Sequence, residues 1–396
     1  MNDTPIRVRA LREEEREAAR TLQRRAFNVS PSASAGAPPP PPLDSLRVAE
    51  VGGAIAGVLR IHRFGHFFGG RSVPAIGIGG VAVAPEARGR RVAERLLVEV
   101  LRELRREGFA ISTLFPATVP VYRRCGYEYM SMRVRFRAPL RSLPRAAGPD
   151  VLPWTDDDLG AIATCYRTWA QGQNGAVDRP ERWWPDRVLA AWEGKEALRY
   201  CVREDGVITG YLVYAQHARP DAADWSFDLN VHDLVWTTPA AAAALLTFAA
   251  RHRSNGVDLV WTGPPNDALA NLLPEQDAGF DSWFRQMIRL VDVPAAFEAR
   301  SYPTALERVV ELAVEDPHLA DNAGGWRVEV SGGRARVARA AAGSARVDIA
   351  TLGAIWSGML APVDARRLGR LVADDETVQA LGEMFAGPIP WINDWF

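Results

Sequence analysis

Cysteine is scarce: the 396 residues hold three, Cys125, Cys165 and Cys201. An odd trio without metal-ligand spacing excludes a disulfide framework and a thiolate metal centre, and reads as buried thiols of a reducing cytoplasm. Histidine is scarce too, and the six present contain no HExxH motif, so no metal is expected. No apolar stretch approaches the roughly 20 residues of a membrane span. The opening "MNDTPIRVRALREEEREAAR" has no apolar signal-peptide core, and a cytoplasmic location is expected. The basic residues form no single run with interleaved aromatics, which argues against nucleic acid as a partner. Tryptophan is missing from the first 150 residues; all 13 lie between Trp154 and Trp395. Just before that change, "RSLPRAAGPD" (141–150) has the Pro/Gly content of a linker. A second break is expected near 290, where "RQMIRLVDVP" looks like a new alternating strand.

What is present is an ordinary soluble composition, 47% apolar and 24% charged, in a chain long enough for two or three domains. Charge is divided along it. Residues 1–150 contain 25 Arg and 14 Asp+Glu, and the remainder has 22 basic and 34 acidic residues. Two readings are open: a solvated mixed surface, or an N-terminal domain that binds a polyanion beside acidic domains that draw in a cation.

Residues 1–140 alternate strands and helices. "IRVRAL" is a short strand, and "REEEREAARTLQRRAF" is a helix, acidic at its start and basic at its end as the macrodipole prefers. "PSASAGAPPPPPL" (31–43) is a loop stiffened by polyproline, either a solvated connection or the border of an acceptor pocket. "LRVAEVGGAIAGVLRIHRF" is a hairpin turning at Gly52–Gly53, and "SVPAIGIGGVAVA" is the next strand. That strand runs into "VAVAPEARGRRVAERLLVEVLRELRREG" (81–108), where Val92, Leu96, Val100 and Leu104 recur at helical spacing and Gly108 is placed as a stop. A helix is expected from about Arg88. Its free backbone N–H groups and dipole form an anion site, with Arg88, Arg90 and Arg91 adding charge. A pyrophosphate is the natural occupant.

"VAVAPEARGRRVA" resembles the acetyl-CoA motif of the GNAT acetyltransferases, Q/R-x-x-G-x-G/A after a V-x-V strand. Arg88 fills the first position and Ala93 the last; Arg91 stands where the family usually has glycine, which a helical backbone there would not require. The resemblance implies acetyl-CoA as co-substrate. It implies that Val81, Ala82 and Val83 hold the pantetheine and thioester through backbone hydrogen bonds, with the Val83 N–H towards the oxyanion. It implies that Arg88, Gly89, Arg90, Arg91, Val92 and Ala93 hold the pyrophosphate. "PVYRRCGYEYM" (120–130) resembles the family's Y-x-x-x-G-F/Y element, which implies that Tyr122 protonates the departing thiolate, with Gly126 and Tyr127 marking the turn back into a strand.

Residues 201–262 repeat the order strand, hairpin, strand, helix, strand, but "TTPAAAAALL" occupies the place of the pyrophosphate loop with no Arg and no Gly. A degenerate, structural copy is expected. From Met287 onward the sequence resembles the sterol-carrier-like domain that closes the Eis family of acetyltransferases. The expected fold class is therefore α/β (α+β): tandem GNAT folds, the second degenerate, then a sterol-carrier-like α+β domain. The expected divisions are 1–145, 146–286 and 287–396. The Eis resemblance implies an amine as acceptor, aminoglycosides among them, and a homo-oligomer, a hexamer; the charge division along the chain points to the primary amine of a cationic small molecule. The rival readings are acetylation of protein lysines or N-termini, and a lipid-binding module on a non-catalytic scaffold.

The end, "GPIPWINDWF", carries two prolines, two tryptophans and a final phenylalanine, where termini are usually small and polar. The Eis resemblance implies that the α-carboxylate of Phe396 is the general base. An α-carboxylate has an unperturbed pKa near ~3.5, and burial among Trp391, Trp395 and Phe396 would raise it. Pro388 and Pro390 would restrict the approach of the tail, and Asp394 would add a second negative charge that attracts the substrate.

Overall fold

A computed structural model describes residues 5–28, 40–191, 194–219, 223, 225–341, 343 and 345–396. Most of the polyproline loop 31–43, through residue 39, lies outside the described residues. The first part of the chain forms β1 (Ile6–Ala10), α1 (Arg16–Phe27), β2 (Leu46–Val51), β3 (Ala54–Phe68), β4 (Arg71–Val83), α2 (Val92–Arg106), β5 (Ile111–Leu114), α3 (Val119–Arg124) and β6 (Glu128–Pro139). The second forms β7 (Val151–Pro153), α4 (Leu159–Gln171), β8 (Val177–Asp178), β9 (Leu198–Glu204), β10 (Val207–Ala218), β11 (Phe227–Trp236), α5 (Pro239–Ala250), β12 (Gly256–Gly263) and β13 (Gly279–Leu290). The third forms α6 (Val293–Ala299), β14 (Arg308–Glu315), β15 (Gly324–Ser331), β16 (Arg334–Ala340), β17 (Ala345–Asp348), α7 (Ile349–Ser357), α8 (Pro362–Arg367), β18 (Leu371–Val372) and α9 (Asp375–Met384).

A 13-stranded sheet joins the first two parts in the order β1-β2-β3-β4-β5-β13-β6-β12-β11-β10-β9-β7, with β8 paired to β3. The two halves exchange strands. β13, from the second, sits between β5 and β6 of the first and is antiparallel to both; β6 in turn pairs with β12 of the second. Met287–Leu290, where the sequence suggested a strand opening the third domain, are the last residues of β13 in this sheet. The third part has its own five-stranded sheet, β16-β15-β14-β17-β18. Its helix α7 is buried along its whole length and packs against β6 and β13. Two halves of one outline followed by a separate α+β end is the expected class.

Local chemistry accounts for the elements that matter to the site. The β2–β3 hairpin turns at Gly52 and Gly53, both at positive φ (59° and 83°), as a two-residue turn requires. Helix α2 lays Val92, Leu96, Val100 and Leu104 under the sheet at relative exposures of 2% or less. Each such burial contributes roughly 1.5–3 kcal/mol before entropic costs. In the second half, the α5 N-terminus is closed from within: Thr238 Oγ1 accepts the Ala241 N–H at 3.1 Å, and Pro239 brings no N–H at all.

Candidate active site

Strands β4 and β5 run parallel only over Ala75–Ile78 and Ile111–Leu114. β4 then continues to Val83 with no partner on that side, and the two strands part into a wedge. On its other side β4 bulges: Arg60 pairs with Gly79 and Val58 with Ala82, so Leu59 faces both Gly80 and Val81. Gly80 has φ +58°, and its carbonyl accepts Gln23 Nε2 from α1 at 2.9 Å. Ala84 N–H donates to Ala56 O at 2.9 Å. By the alternation of an antiparallel ladder, Ala82 bonds to β3 and Val83 turns its N–H and C=O towards the open wedge. Ala82 is buried, while Val81 and Val83 are half-buried.

The loop beyond β4 departs from the expectation. The helix does not begin near Arg88. A 3-10 turn, Pro85–Ala87, is followed by extended Arg88, then Gly89 at φ +76° and Arg91 at φ +57°, ψ 24°; α2 starts at Val92. Arg91 is therefore not helical. It is the left-handed N-cap, a conformation costing a non-glycine residue roughly 1–2 kcal/mol, which is why glycine suits this position. Its side chain lines a surface hollow with Arg95, Arg102 and His318 on the flank of α2. Arg88, Gly89, Arg90 and Arg91 are exposed, Val92 is buried and Ala93 half-buried. The first-turn N–H groups of α2 have no partner within the helix. Together with three arginines lacking any ion pair among the described residues, they suit an anion.

Tyr122, on α3, has a buried ring in contact with the Tyr127 ring (centroids 6.2 Å apart). Among the described residues its hydroxyl has no hydrogen-bond partner, and burial pushes its pKa up to about 12, with Cys125 adding to the rise. Tyr127, by contrast, is committed: its hydroxyl is 2.7 Å from Ser112 Oγ. Gly126 turns between them at φ +81°. A feature the sequence did not disclose holds this turn. Arg289 of β13 donates from Nε to the Cys125 carbonyl at 3.0 Å and pairs through Nη2 with both Asp316 oxygens at 2.7 Å, fully buried. A Cβ on Gly126 would stand 2.6 Å from that Nε.

The terminal decapeptide threads between the two halves of the large sheet. Asn174 Nδ2 donates to Pro388 O (3.0 Å), and Trp391 N–H donates back to Asn174 O (3.0 Å). Met132 N–H reaches Pro390 O (3.3 Å), and Asn393 Nδ2 donates to His232 O (2.8 Å). Asp394 is buried and accepts from Arg179 Nε (2.9 Å) and Trp183 Nε1 (2.7 Å). Its charge is answered by Arg179, so it anchors the tail rather than attracting substrate. Trp395 stacks on Phe115 at 4.1 Å yet stays 44% exposed; Trp391 is the buried anchor. The Phe396 ring lies among Phe64 (5.0 Å), Phe115 (5.5 Å) and His62 (5.8 Å).

Gly77 and Gly79 of β4 make room for this end. A Cβ on Gly77 would stand 2.5 Å from the Phe396 ring; one on Gly79 would stand 3.4 Å from the Phe396 carboxyl carbon and 3.1 Å from His62 Nε2. Among the described residues the carboxylate has no hydrogen bond and no ion pair. The neighbouring His62 is buried, and desolvation, then the charges of Arg60, Arg187 and Arg182, lower its pKa to about 3. His62 and His66 have H-x-x-x-H spacing, but on a strand four residues span about 13 Å, too far to share a metal. No metal-binding group occurs among the described residues. Arg60 and His62 were legible only as alternate polar residues in an apolar strand.

A cavity of about 490 Å³ opens beside the tail, lined by Arg133, Arg187, Val188, His232, Phe284 and Trp395 among others. Arg135 and Arg179 also face it, against Asp186 and Asp394. The acidic excess of the later domains is not gathered in this lining.

Comparisons with known proteins converge on the same architecture. An acetyltransferase (GNAT) domain model matches residues 7–130, a second matches 175–290, and a sterol carrier protein domain model matches 293–393. An uncharacterized N-acetyltransferase of Streptomyces griseus is 29% identical over 293 residues, 68% of each chain. The N-acetyltransferase Eis of Mycobacterium tuberculosis is 26% identical over 337 residues, 80% of this chain and 79% of that one. The crystal structure of a GCN5-related N-acetyltransferase from Anabaena variabilis superposes with a TM-score of 0.93 at 29% identity, covering 99% of this chain and all of that one. With a parted β4–β5 wedge, an arginine-rich helix entrance and a closing sterol-carrier domain, this chain is an acyltransferase of the GNAT family, built on the Eis plan.

Proposed function

We propose that the protein transfers the acetyl group of acetyl-CoA to a primary amine of a small molecule, in the cytoplasm. The observation that carries this reading is the position of the Phe396 carboxyl carbon, against Gly79 at the mouth of the wedge, with no hydrogen bond or ion pair to the carboxylate among the described residues. Residues 1–145 would supply the chemistry, 146–286 one wall of the acceptor cavity, and 287–396 the tail that closes it.

Arg88, Arg90 and the N–H groups of Gly89 to Ala93 would hold the pyrophosphate. The open edge of Val81–Val83 would hold the pantetheine, with the Val83 N–H at the thioester oxygen. The Phe396 carboxylate takes a proton from the substrate ammonium. The freed nitrogen lone pair attacks the thioester carbonyl carbon, a C–N bond forms and the C–S bond breaks. Tyr122 gives its proton to the departing sulfur and regains one from the new amide nitrogen, which must shed it; the burial that raises the pKa of Tyr122 would likewise raise the proton affinity of a thiolate held beside it. Holding amine and thioester together supplies much of the acceleration.

Self-association, which the Eis resemblance implies as a hexamer, is supported by Phe280 and Trp283, which stand 72% and 58% exposed on β13. A lipid-binding role for the third domain gains less. Its interior is filled by Trp326 and Trp356, and the hollow against β14 and α9 is lined by Glu307, Arg308, Glu311, Arg327 and Asp374.

The test keeps the tail and moves its charge. One or two glycines are appended after Phe396, and thiol release from acetyl-CoA is measured beside folding and assembly. Collapsed turnover in a folded, assembled protein supports the carboxylate as base; full turnover removes it from the chemistry.

A further inference from the structure

Four arginines stand around the tail without forming an ion pair among the described residues. Arg60 stands on β3 opposite Gly79, with its Nε buried and without a hydrogen-bond partner. Arg187 belongs to the tight turn Trp184–Val188 and lies over the Trp183 ring at 5.9 Å; Arg182 precedes that turn. Arg133 reaches from β6, bonded to Thr262 Oγ1 at 3.3 Å and lying over Trp395 at 5.8 Å. Among the described residues none of the four has an ion-pair partner. Of the two aspartates lining the cavity, Asp394 is taken by Arg179, which leaves Asp186.

Arg137, by contrast, pairs with Asp228 and Asp258, and Arg289 with Asp316. A half-buried cation such as Arg60, without an ion pair, is costly. Desolvation, then Arg187 and Arg182, bring Arg60 down to about 10. Nor does this cluster serve the pyrophosphate loop. Leu59 and Ile61 pack under α2, so Arg60 and His62 point to the opposite face of the sheet, towards the tail.

We propose that the acceptor is an amine that also carries an anionic group, a carboxylate or a phosphate or sulfonate, bound by Arg60, Arg133 and Arg187 while its amine lies at the Phe396 carboxylate. The proposal rests on the acetyl-transfer reading. Planar guanidinium groups suit such oxoanions, which they bind through two parallel hydrogen bonds. An anion offsets part of the cluster's charge, whereas a second ammonium would meet repulsion from it.

The experiment uses the full chain and pairs of amines differing only in the anion: amino acids against their amides, phosphoethanolamine and taurine against ethanolamine, with 1,4-diaminobutane as a cationic control. Thiol release from acetyl-CoA is measured, and calorimetric binding to the CoA-loaded protein adds a readout independent of turnover. The anionic member of a pair should be preferred in kcat/KM and in affinity by about tenfold or more. Arg60→Gln and Arg187→Gln should each shrink that ratio towards one, and should change the KM for acetyl-CoA far less. Which pairs respond distinguishes carboxylate from phosphate and sulfonate. Equal or better use of the neutral or dicationic amines, or a ratio unmoved in both variants, overturns the proposal while leaving acetyl transfer intact. Arginine-dependent binding of anionic amines with no thiol release from any amine would instead sink the acetyl-transfer reading.

Discussion

Gly77 of β4 and Phe396 at the chain end are in contact through the absence of a side chain: a Cβ on Gly77 would stand 2.5 Å from the ring. Gly77→Ala should push the ring, and with it the carboxylate, out of place. Turnover should fall at least tenfold for an overpacking cost of about 1–3 kcal/mol, read by thermal unfolding. Gly79→Ala, whose Cβ would stand 3.4 Å from the carboxyl carbon and a tight 3.1 Å from His62 Nε2, should still be the milder change. The reverse order would mean that the tail is not fixed as described.

Tyr122→Phe and Tyr127→Phe should separate chemistry from stability. Among the described residues the Tyr122 hydroxyl has no partner to lose, so its removal should spare the melting temperature and cost about 10²–10⁴-fold in turnover, the usual range for a general acid. Tyr127→Phe strips Ser112 of its partner and should cost about 1 kcal/mol of stability while leaving most of the turnover. Loss of turnover in the second variant alone would move the acid.

At Arg91, charge and backbone strain can be tested apart. Arg91→Ala and Arg91→Gly remove the same charge, but only glycine relieves φ +57°. The glycine variant should be the more stable of the two by about 1 kcal/mol, measured by denaturant unfolding. Arg88→Glu should raise the KM for acetyl-CoA far more than that for the amine. Equal effects on both would argue against this loop as the pyrophosphate site.

Acid should weaken the fold through two buried histidines. Desolvation lowers His62 to about 3 and His66 to about 4; His66 bonds to Gly175 O at 2.8 Å and Thr113 Oγ1 at 3.1 Å. The unfolded chain binds these protons near pH 6.5 and the folded one does not, so stability rises with pH across that interval. It should be full above about pH 6.5 and decline towards pH 4, and His66→Gln should flatten the decline. A melting temperature constant from pH 7 to pH 4 would contradict this.

The sequence disclosed what depends on short-range periodicity. Val92, Leu96, Val100 and Leu104 announced α2, Gly52–Gly53 announced its hairpin, and Thr238–Pro239 without arginine announced a helix entrance with nothing to bind. It did not disclose what depends on distant partners. The left-handed turn at Arg91 follows from how the loop must meet Val92, and Asp394 reads as a free charge until Arg179 is placed beside it. The strand Gly279–Leu290 looks like the edge of its own domain because nothing local records the gap between β5 and β6. The unanswered charge around Arg60 was hidden for the same reason, its four members being drawn from three separate stretches of chain.

The exchange of β6 and β13 has a consequence for how the molecule is made. When the ribosome has delivered residues 1–140, the wedge strands exist, but β5 and β6 have an unfilled lane between them until residues 279–290 emerge. The first half of the protein therefore cannot mature as an independent unit ahead of the second, unlike most domains in a nascent chain. Its open edges at β5 and β6 are exposed for the time taken to synthesise some 140 further residues. That interval is when a chaperone is most needed, and truncations ending before Gly279 should go to aggregates rather than to a smaller active enzyme.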